Sequence, residues 1–202
     1  MNITALLEEL QAIARNGLAY AQNVYDRERY ERLLELSCGH YAELLEVPSA
    51  EVREKLSREL GHITPKLGSD AAIFNDAGEI LLIERVDGSG WGIPCGWVEP
   101  NERAVDAAVR ETREETGLEV VVRRLVGVFS RPADPASGLH SMSAVVHLCE
   151  IVGGELRLSH EGVDLRYWPV DEVPKWHSDH YRKARAAYAM RASGGTAPSV
   201  SE

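Results

Sequence analysis

Apolar positions in the first sixty residues repeat with the period of an α-helix. The first predicted helix is expected to stop at Gly17, and its apolar face consists of Ile3, Leu6, Leu7, Leu10, Ile13 and Ala14. A second helix is expected from about Asp26 to just before Pro48, and a third from Ser49 to Gly61. Three short helices contain little apolar surface, so residues 1–61 are expected to pack on the rest of the chain or on a second copy.

Beyond a linker of mixed composition at 62–68, the pattern changes to short β-rich runs. A hairpin of 71–74 and 80–83 is expected first. Further strands are expected at 118–130, 141–152 and 165–170, and a last helix at 180–192. Strands interrupted by helices predict an α/β domain over 69–192. Residues 193–202 lack apolar content and are expected to form a disordered tail.

One predicted helix within this domain carries three carboxylates on one side. Glu114 and Glu115 follow Glu111 at i+3 and i+4, so the three side chains share an arc of about 100°. Like charges at this spacing repel each other, and a hard divalent cation held by oxygen ligands removes the repulsion. The helix therefore predicts a site for Mg²⁺ or Mn²⁺.

The same helix has a separate apolar stripe and plausible ends. Asn101 is the expected N-cap and Gly117 the expected left-handed C-cap, while Arg110 is placed to pair with Glu114. The expected buried stripe consists of Val105, Ala108, Val109 and Thr112. Metal ligands and core contacts thus fall on different faces of one helix.

Charge and cysteine content narrow the possible partners. A formal net charge of -10 argues against binding of a nucleic acid polymer. The sequence shows neither an export signal nor an apolar run long enough to span a membrane. Cys38, Cys95 and Cys149 form no C-x-x-C pair, which favours reduced thiols and a cytoplasmic location.

Residues 96–118 resemble the signature of the Nudix hydrolases, Gx5Ex7REUxEExGU, where U is an aliphatic residue. The matching positions are Gly96, Glu102, Arg110, Glu111, Glu114, Glu115, Gly117 and Leu118. Thr112 is the one departure, since the pattern has an aliphatic residue there. The resemblance implies an α/β/α sandwich with a mixed sheet. It also implies hydrolysis of a nucleoside diphosphate linked to another group.

The resemblance assigns roles to the residues of this motif. Glu111, Glu114 and Glu115 are the expected metal ligands. Glu102 is expected to brace the loop or to bind metal through water, and Arg110 to orient Glu114 or a neighbouring loop. Two candidates for the general base stay open: Glu111 itself, and Glu161, just before the last predicted strand.

Residues near the motif are candidates for substrate contacts. Gly96 is expected to allow a tight turn that aims backbone at the phosphates. Trp97 could stack on a base, and Arg85 and Arg131 could contact phosphate. His177 and His180 have helical metal-like spacing but no third ligand in register, so an ordinary surface helix end is expected there.

Segments 16–20 and 25–30 resemble the helical extension of a Nudix subgroup that acts on X-linked nucleoside diphosphates, among them CDP-choline. This resemblance implies a homodimer formed through the N-terminal helices and a small nucleoside diphosphate derivative as substrate. ADP-ribose and nucleotide sugars stay as alternatives to CDP-choline. A Nudix-fold sensor that binds a nucleotide without cleaving it is the non-catalytic alternative.

Overall fold

The structure is a computed structural model that describes residues 3–58, 60–61, 63–134 and 140–202. Residues 1, 2 and 59 of the predicted N-terminal domain and residue 62 of the predicted linker lie outside the described part. The chain divides into two compact units. The first contains residues 1–66 together with 131–142, and the second contains 67–130 and 143–202.

The first unit differs from the predicted domain because it includes a segment from far along the chain. The Lys66 N–H donates to the Ser141 carbonyl at 3.0 Å, and the Ser141 N–H donates to the Glu8 carboxylate. These two hydrogen bonds join the segment 131–142 to the helices. The second unit holds the rest of the predicted 69–192 domain and is called the catalytic unit below.

The described residues of the first unit include three helices: α1 (Ile3–Tyr20), α2 (Val24–Leu45) and α3 (Ser49–Ser57). Their shared core consists of Leu7, Ala14, Leu18, Leu34, Cys38, Tyr41, Val52 and Leu56. The predicted stop of α1 at Gly17 is wrong, because Ala21 continues the helical pattern by donating to the Gly17 carbonyl. None of the described helices is both long and apolar enough to cross a bilayer.

The ends of α2 and α3 also differ from the expected positions. Asn23 caps α2 by accepting the Asp26 N–H at 2.9 Å, so the helix begins before Asp26. Pro48, and not Ser49, is the N-cap of α3, which ends at Ser57 and not at Gly61.

The catalytic unit is built from two sheets and two helices. In chain order they are β1 (Lys66–Ile73), β2 (Ile80–Arg85), β3 (Trp91–Gly92), β4 (Cys95–Trp97), α4 (Ala104–Thr116), β5 (Leu118–Arg131), β6 (Met142–Gly154), β7 (Gly162–Trp168), α5 (His180–Ala192) and β8 (Val200–Ser201). One sheet has the order β4-β1-β6-β5-β8 and the other has the order β3-β2-β7. The larger sheet is mixed, since β1 and β4 are antiparallel whereas β5 and β8 are parallel.

The predicted hairpin of 71–74 and 80–83 is wrong, although its turn is correct. Asn75 closes the turn by accepting the Glu79 N–H at 2.9 Å, and Gly78 adopts a φ of +84°. The strands then separate into different sheets, and beyond the turn they are joined by a bridge between Phe74 and Ile80. Each strand instead pairs with other partners, among them β4 for β1 and β7 for β2.

Alternate residues of β1 and β2 pack against opposite helices. Ala72 belongs to a core that includes Ala184 and Ala187 of α5. Ala71 and Ile73 belong to a second core, which includes Ala108 of α4. β2 behaves in the same way, with its even-numbered apolar residues in the first core and Leu81 in the second. Because side chains alternate across a strand, α4 and α5 lie on opposite sides of the sheets, as expected for an α/β/α sandwich.

The last residues do not form the disordered tail that their composition predicted. The Ser130 N–H donates to the Glu202 carbonyl, and the Glu202 N–H donates to the Val128 carbonyl, both through backbone bonds. Arg182 of α5 also pairs with the Glu202 carboxylate at 2.7 Å. Backbone hydrogen bonds to the edge of β5 thus order this segment, although it contains few apolar residues. The predicted linker likewise ends early, since residues 66–68 belong to β1.

Candidate active site

α4 carries the carboxylates of the motif, and its two ends are fixed differently. Arg103, not Asn101, is the N-cap, because Asn101 lies in the preceding turn with a φ of +68°. Gly117 ends the helix as predicted, with a φ of +73° and its N–H directed to the Arg113 carbonyl. The side chain of Arg103 pairs with Asp106 of the first turn at 2.6 Å.

The buried side of α4 is rotated relative to the predicted stripe. Its buried residues are Ala107, Ala108, Thr112, Glu115 and Thr116. Val105 and Val109, which were expected to be buried, are only partly so. Thr112, the one departure from the motif, donates its hydroxyl to the Ala108 carbonyl at 2.7 Å. A polar side chain is therefore accommodated at this core position, because its hydrogen bond is satisfied within the helix.

Arg110 joins the motif carboxylates to the preceding loop. Its guanidinium donates to both carboxylate oxygens of Glu102 at 2.8 and 2.9 Å. It also donates to Glu111 at 2.7 Å, to Glu114 at 3.1 Å and to the Trp97 carbonyl at 3.1 Å. The predicted pairing of Arg110 with Glu114 is thus present, within a larger network. These bonds from Arg110 lower the pKa of Glu102 to about 2.

Glu115 points away from Arg110 and into the protein. Its side chain is 5% exposed and accepts the Cys95 N–H of β4 at 2.9 Å. Burial raises the pKa of Glu115 to about 8, against the Cys95 hydrogen bond, and the charges of Glu111 and Glu161 add to the rise. A carboxylate in this position is stabilised by a cation, since it has lost water and is repelled by its neighbours.

Glu111 lies directly against β4. A methyl group at Gly96 would come within 2.0 Å of the Glu111 carboxyl carbon, so only glycine leaves room for this side chain. Burial raises the pKa of Glu111, Arg110 opposes the rise, and the charges of Glu114 and Glu161 support it. The Glu111 carboxylate therefore occupies the position that a side chain at residue 96 would take. It lies beside the turn at Gly96 that was expected from the sequence to bind phosphate.

The donor types fit a hard divalent cation. Glu111, Glu114 and Glu115 offer oxygen ligands along one arc of α4. The charge of Glu114 raises the pKa of Glu111, and the charge of Glu111 raises the pKa of Glu115. As the side chains stand, no three His, Cys, Asp or Glu side chains within the described ranges form a group that could hold a metal ion. Arg110 holds Glu111 and Glu114, whereas β4 holds Glu115. The roles of these residues as ligands stay a prediction.

Two further predicted residues lie close enough to influence this cluster. Glu161 is exposed just before β7, and its carbonyl accepts the Val86 N–H at 3.1 Å. The negative charge of Glu161 raises the pKa of both Glu111 and Glu115. The positive charge of Arg85, at the end of β2, lowers the pKa of Glu115. The Arg85 guanidinium also lies 3.4 Å from the Asp87 carboxylate. The structure thus brings Glu161 and Arg85 towards the motif carboxylates.

The remaining predicted residues have different surroundings. Trp97 follows the motif glycine and its side chain is 57% exposed, which leaves it available to a ligand. Arg131 belongs to the segment that packs with the first unit, and its guanidinium contacts the Met142 Sδ at 2.9 Å. Its contact with phosphate stays a prediction. His180 is buried and accepts the Ile93 N–H at 3.0 Å, so it is not the surface residue that was expected.

Sequence reasoning missed a buried ion pair behind β4. Lys183 of α5 donates to the Asp70 carboxylate of β1 at 2.9 Å, and both side chains are at most 3% exposed. The sequence signals were Asp70, directly before the apolar run 71–74, and Lys183, which shares a face of the last helix with Ala187 and Met190.

Two family models match most of the chain. Residues 64–188 match the model of the NUDIX domain, and residues 2–57 match that of the "UDP-X-like, N-terminal oligomerisation domain". The chain belongs to the Nudix family. It is a Nudix pyrophosphohydrolase, and Nudix hydrolases generally act on small nucleotide derivatives with the help of divalent metal ions.

Several relatives cover most of this Nudix chain. It is 29% identical over 169 residues to the putative ADP-ribose pyrophosphatase YjhB of Bacillus subtilis, which spans 83% of this chain and 80% of that protein. It is 34% identical over 122 residues to the ADP-ribose pyrophosphatase of Methanocaldococcus jannaschii, which spans 59% and 70%. Both alignments support the family assignment.

Two solved structures extend the comparison to the fold. A UDP-X diphosphatase superposes with a TM-score of 0.58 at 25% identity, over 97% of this chain and 95% of that chain. An ADP-ribose pyrophosphatase from Streptococcus suis superposes with a TM-score of 0.55 at 26% identity, over 68% and 98%. The first of these covers both units of the chain.

Proposed function

We propose that this Nudix enzyme uses Mg²⁺ or Mn²⁺ to hydrolyse the diphosphate linkage of a nucleoside diphosphate joined to a second group, X. The observation that carries the proposal is the arrangement on α4, where Arg110 gathers Glu102, Glu111 and Glu114 while Glu115 is buried against β4. Pyrophosphate hydrolysis needs charge neutralised on the phosphate oxygens and a positioned water. Carboxylates grouped in this way are suited to both tasks.

The residues have separate tasks in this proposal. Glu111, Glu114 and Glu115 hold the cation, which neutralises the diphosphate and acidifies water when bound. Arg110 keeps Glu111 and Glu114 on one side of α4, and Glu102 fixes the guanidinium from the loop.

The proton of the attacking water is taken by Glu111 or by Glu161. Glu111 is held between Arg110 and Gly96, so its carboxylate is well placed but already hydrogen-bonded. Glu161 is exposed and its charge reaches the cluster, so it is available from the opposite side. Replacing each by glutamine and comparing the two pH profiles of kcat separates these alternatives.

Trp97 and Arg85 are the proposed substrate contacts in the catalytic unit, and Arg131 is a third candidate. Exposed Trp97 offers a face for a base or for a cationic X group. Arg85 lies close enough to Glu115 for its charge to lower the pKa of that carboxyl, which makes it a candidate for contact with the phosphates. CDP-choline is the substrate that the N-terminal resemblance favours. ADP-ribose is the alternative that the names of two relatives support.

The test is hydrolysis of CDP-choline, ADP-ribose, UDP-glucose and dinucleoside polyphosphates with Mg²⁺ or Mn²⁺. We expect release of a nucleoside monophosphate from at least one of them, and a loss of about 100-fold or more in kcat for Glu114→Gln. Glu119→Gln is the matched control, because this exposed carboxylate lies just beyond the motif. If no compound is turned over and one is bound tightly, the protein is a nucleotide sensor and not an enzyme.

We also propose that the chain is a homodimer formed through α1 and α2. The match of residues 2–57 to an oligomerisation domain supports association. These helices expose large apolar side chains, namely Ile3, Ile13, Tyr20, Val24, Tyr25 and Leu36. Exposed apolar groups of this size are typical of surfaces that pack against another chain, and twofold dimers are the commonest assemblies.

A further inference from the structure

A buried ion pair lies directly behind the strand that holds Glu115. The Lys183 Nζ lies 2.9 Å from the Asp70 carboxylate and 3.3 Å from the Asp179 carboxylate. Asp179 is shared with Arg182 at 2.9 Å. The relative exposure of the side chains of Lys183 and Asp70 is 2% and 3%, so neither charge is in contact with bulk water.

Burial of such a pair is costly. Each charge loses several kcal/mol of hydration, and an apolar pair of similar volume would often be as stable. Lysine and aspartate are among the residues that are least often fully buried. Fold stability is therefore a poor reason for this pair, and a function linked to its position is the better explanation.

The pair is connected to the proposed metal site through β4. Asp70 of β1 is the register partner of Cys95 in β4, and the Ala71 N–H donates to the Pro94 carbonyl at 2.9 Å. The Cys95 N–H in turn donates to the Glu115 carboxylate at 2.9 Å. The Cys95 thiol lies within the fields of Asp70, Glu115 and Lys183. An uninterrupted series of contacts therefore runs from α5 through β1 and β4 to α4.

The charges of this group indicate what the pair does. Lys183 and Asp70 carry one charge each of opposite sign, so the buried pair adds no net charge beneath the carboxylates. A change in the local field is thus a weak explanation. A fixed geometry is the stronger one, since a buried pair with defined hydrogen bonds holds two elements at a set distance.

We infer that Asp70 and Lys183 are positioning residues that hold β4 in place, so that the Cys95 N–H fixes one oxygen of Glu115 and leaves the other for the divalent cation. This inference rests on the proposed function of Glu115 as a metal ligand. Groups that orient metal ligands in this way commonly change metal affinity by about 10- to 100-fold when they are removed.

The experiment measures Mn²⁺ binding without substrate, by the loss of the free Mn²⁺ signal in electron paramagnetic resonance, at one temperature below every melting point. The variants are Lys183→Met and the double change Asp70→Val with Lys183→Met, which leaves no unpaired buried charge. Val170→Ala is the control for lost stability, because Val170 is a buried core residue that belongs neither to the ion pair nor to β4. Arg185→Met is the surface control, since Arg185 pairs with Asp171 on the exposed side of the same helix.

We expect both ion-pair variants to bind Mn²⁺ about tenfold more weakly, while the two controls bind as the parent does. The kcat at low Mn²⁺ should fall about tenfold with KM changed less than about twofold, and added Mn²⁺ should restore most of it. Added Mn²⁺ should not restore Glu115→Gln, because that variant has lost a ligand.

Two results would overturn the inference. One is parent-like Mn²⁺ affinity in the double variant, and the other is an equal loss of affinity in Val170→Ala. Either result would make the pair a purely structural element. Should Lys183→Met fail to fold, the double variant carries the test alone. A parent protein that neither binds Mn²⁺ nor hydrolyses any nucleotide would instead contradict the proposed function, so the two failures are distinguishable.

Discussion

Glu115 lies in surroundings that favour its protonated form until a cation is bound. Its carboxyl is buried, accepts one backbone N–H and has Glu111 and Glu161 as charged neighbours. Its pKa of about 8 in the folded chain is well above the ordinary value of 4.5. From about pH 5 to about pH 8 the folded chain therefore keeps a proton that the unfolded chain has released.

This difference predicts how the stability of the metal-free protein depends on pH. Raising the pH across this range favours the unfolded state, by at most about 1.4 kcal/mol per pH unit for one group. We expect the melting temperature in EDTA to fall more steeply towards pH 8 in the parent than in Glu115→Gln. Glu119→Gln should keep the parental slope. Parallel slopes in the parent and Glu115→Gln would show that Glu115 titrates normally.

Gly96 offers a second test at the level of one residue. Its replacement by alanine places a methyl group 2.0 Å from the Glu111 carboxyl carbon, so the end of this flexible side chain has to move. We expect kcat to fall about tenfold or more, because small displacements of catalytic groups are costly. The melting temperature should change little, since only a side-chain end shifts.

Gly153→Ala is the matched control for this change. Its added methyl group meets the carboxylate of Glu119 at 3.0 Å, outside the motif. Full activity in Gly96→Ala would show that the position of Glu111 is not critical for turnover.

The sequence could place the motif carboxylates on one helix because they follow one another within α4, whereas their roles stay a prediction. Helical spacing alone places Glu111, Glu114 and Glu115 on one arc and Arg110 beside Glu114. It could not show that Glu115 binds the Cys95 N–H, because that contact depends on where β4 packs. Lys183 and Asp70 are separated by 113 residues, so no local pattern could pair them.

At the level of helices and strands, periodicity identified most elements, and the errors have physical causes. The bounds of α5 agree with the expected 180–192, and β5 and β6 lie close to their predicted positions. The hairpin of β1 and β2 was wrong because strand pairing is decided by contacts with β4 and β7. The stop at Gly17 was wrong because that glycine serves close packing between helices and not termination.

The close packing at Gly17 leads to a prediction about the stability of the first unit. A methyl group there would lie 2.4 Å from the ring of Tyr30 on α2, whereas one at Gly39 would meet nothing within 4 Å. We expect Gly17→Ala to lower the free energy of unfolding by about 1–3 kcal/mol through overpacking. Gly39→Ala, the control, should raise it by about 0.5–1 kcal/mol as a better helix former. Urea denaturation followed by circular dichroism measures both, and equal effects would rule out the packing explanation.

For the whole molecule, residues 131–142 lie within the NUDIX match at 64–188 but belong to the first unit, whose helices match the N-terminal model at 2–57. Composition and periodicity could not predict the return of residues 131–142 to the first unit, because it depends on hydrogen bonds to Lys66 and Glu8. The cytoplasmic location stays a prediction. Cys38, Cys95 and Cys149 are free in the structure.

The proposed dimer gives a prediction at this scale. We expect light scattering to give twice the mass of the chain, and Ile13→Glu to shift the protein towards the monomer by burying a charge in the interface. Val163→Glu is the control, since Val163 is a similarly exposed apolar residue of the catalytic unit. A monomeric parent, or dissociation by both changes, would contradict an interface formed by α1 and α2.

The alternation of side chains along β1 and β2 has a consequence for how the catalytic unit denatures. Each of these strands contributes to the core beneath α4 and to the core beneath α5. Neither helix can detach without exposing apolar surface on strands that the other also covers, so partial melting of this unit is disfavoured. Calorimetry should record a single cooperative transition for it, with equal van't Hoff and calorimetric enthalpies.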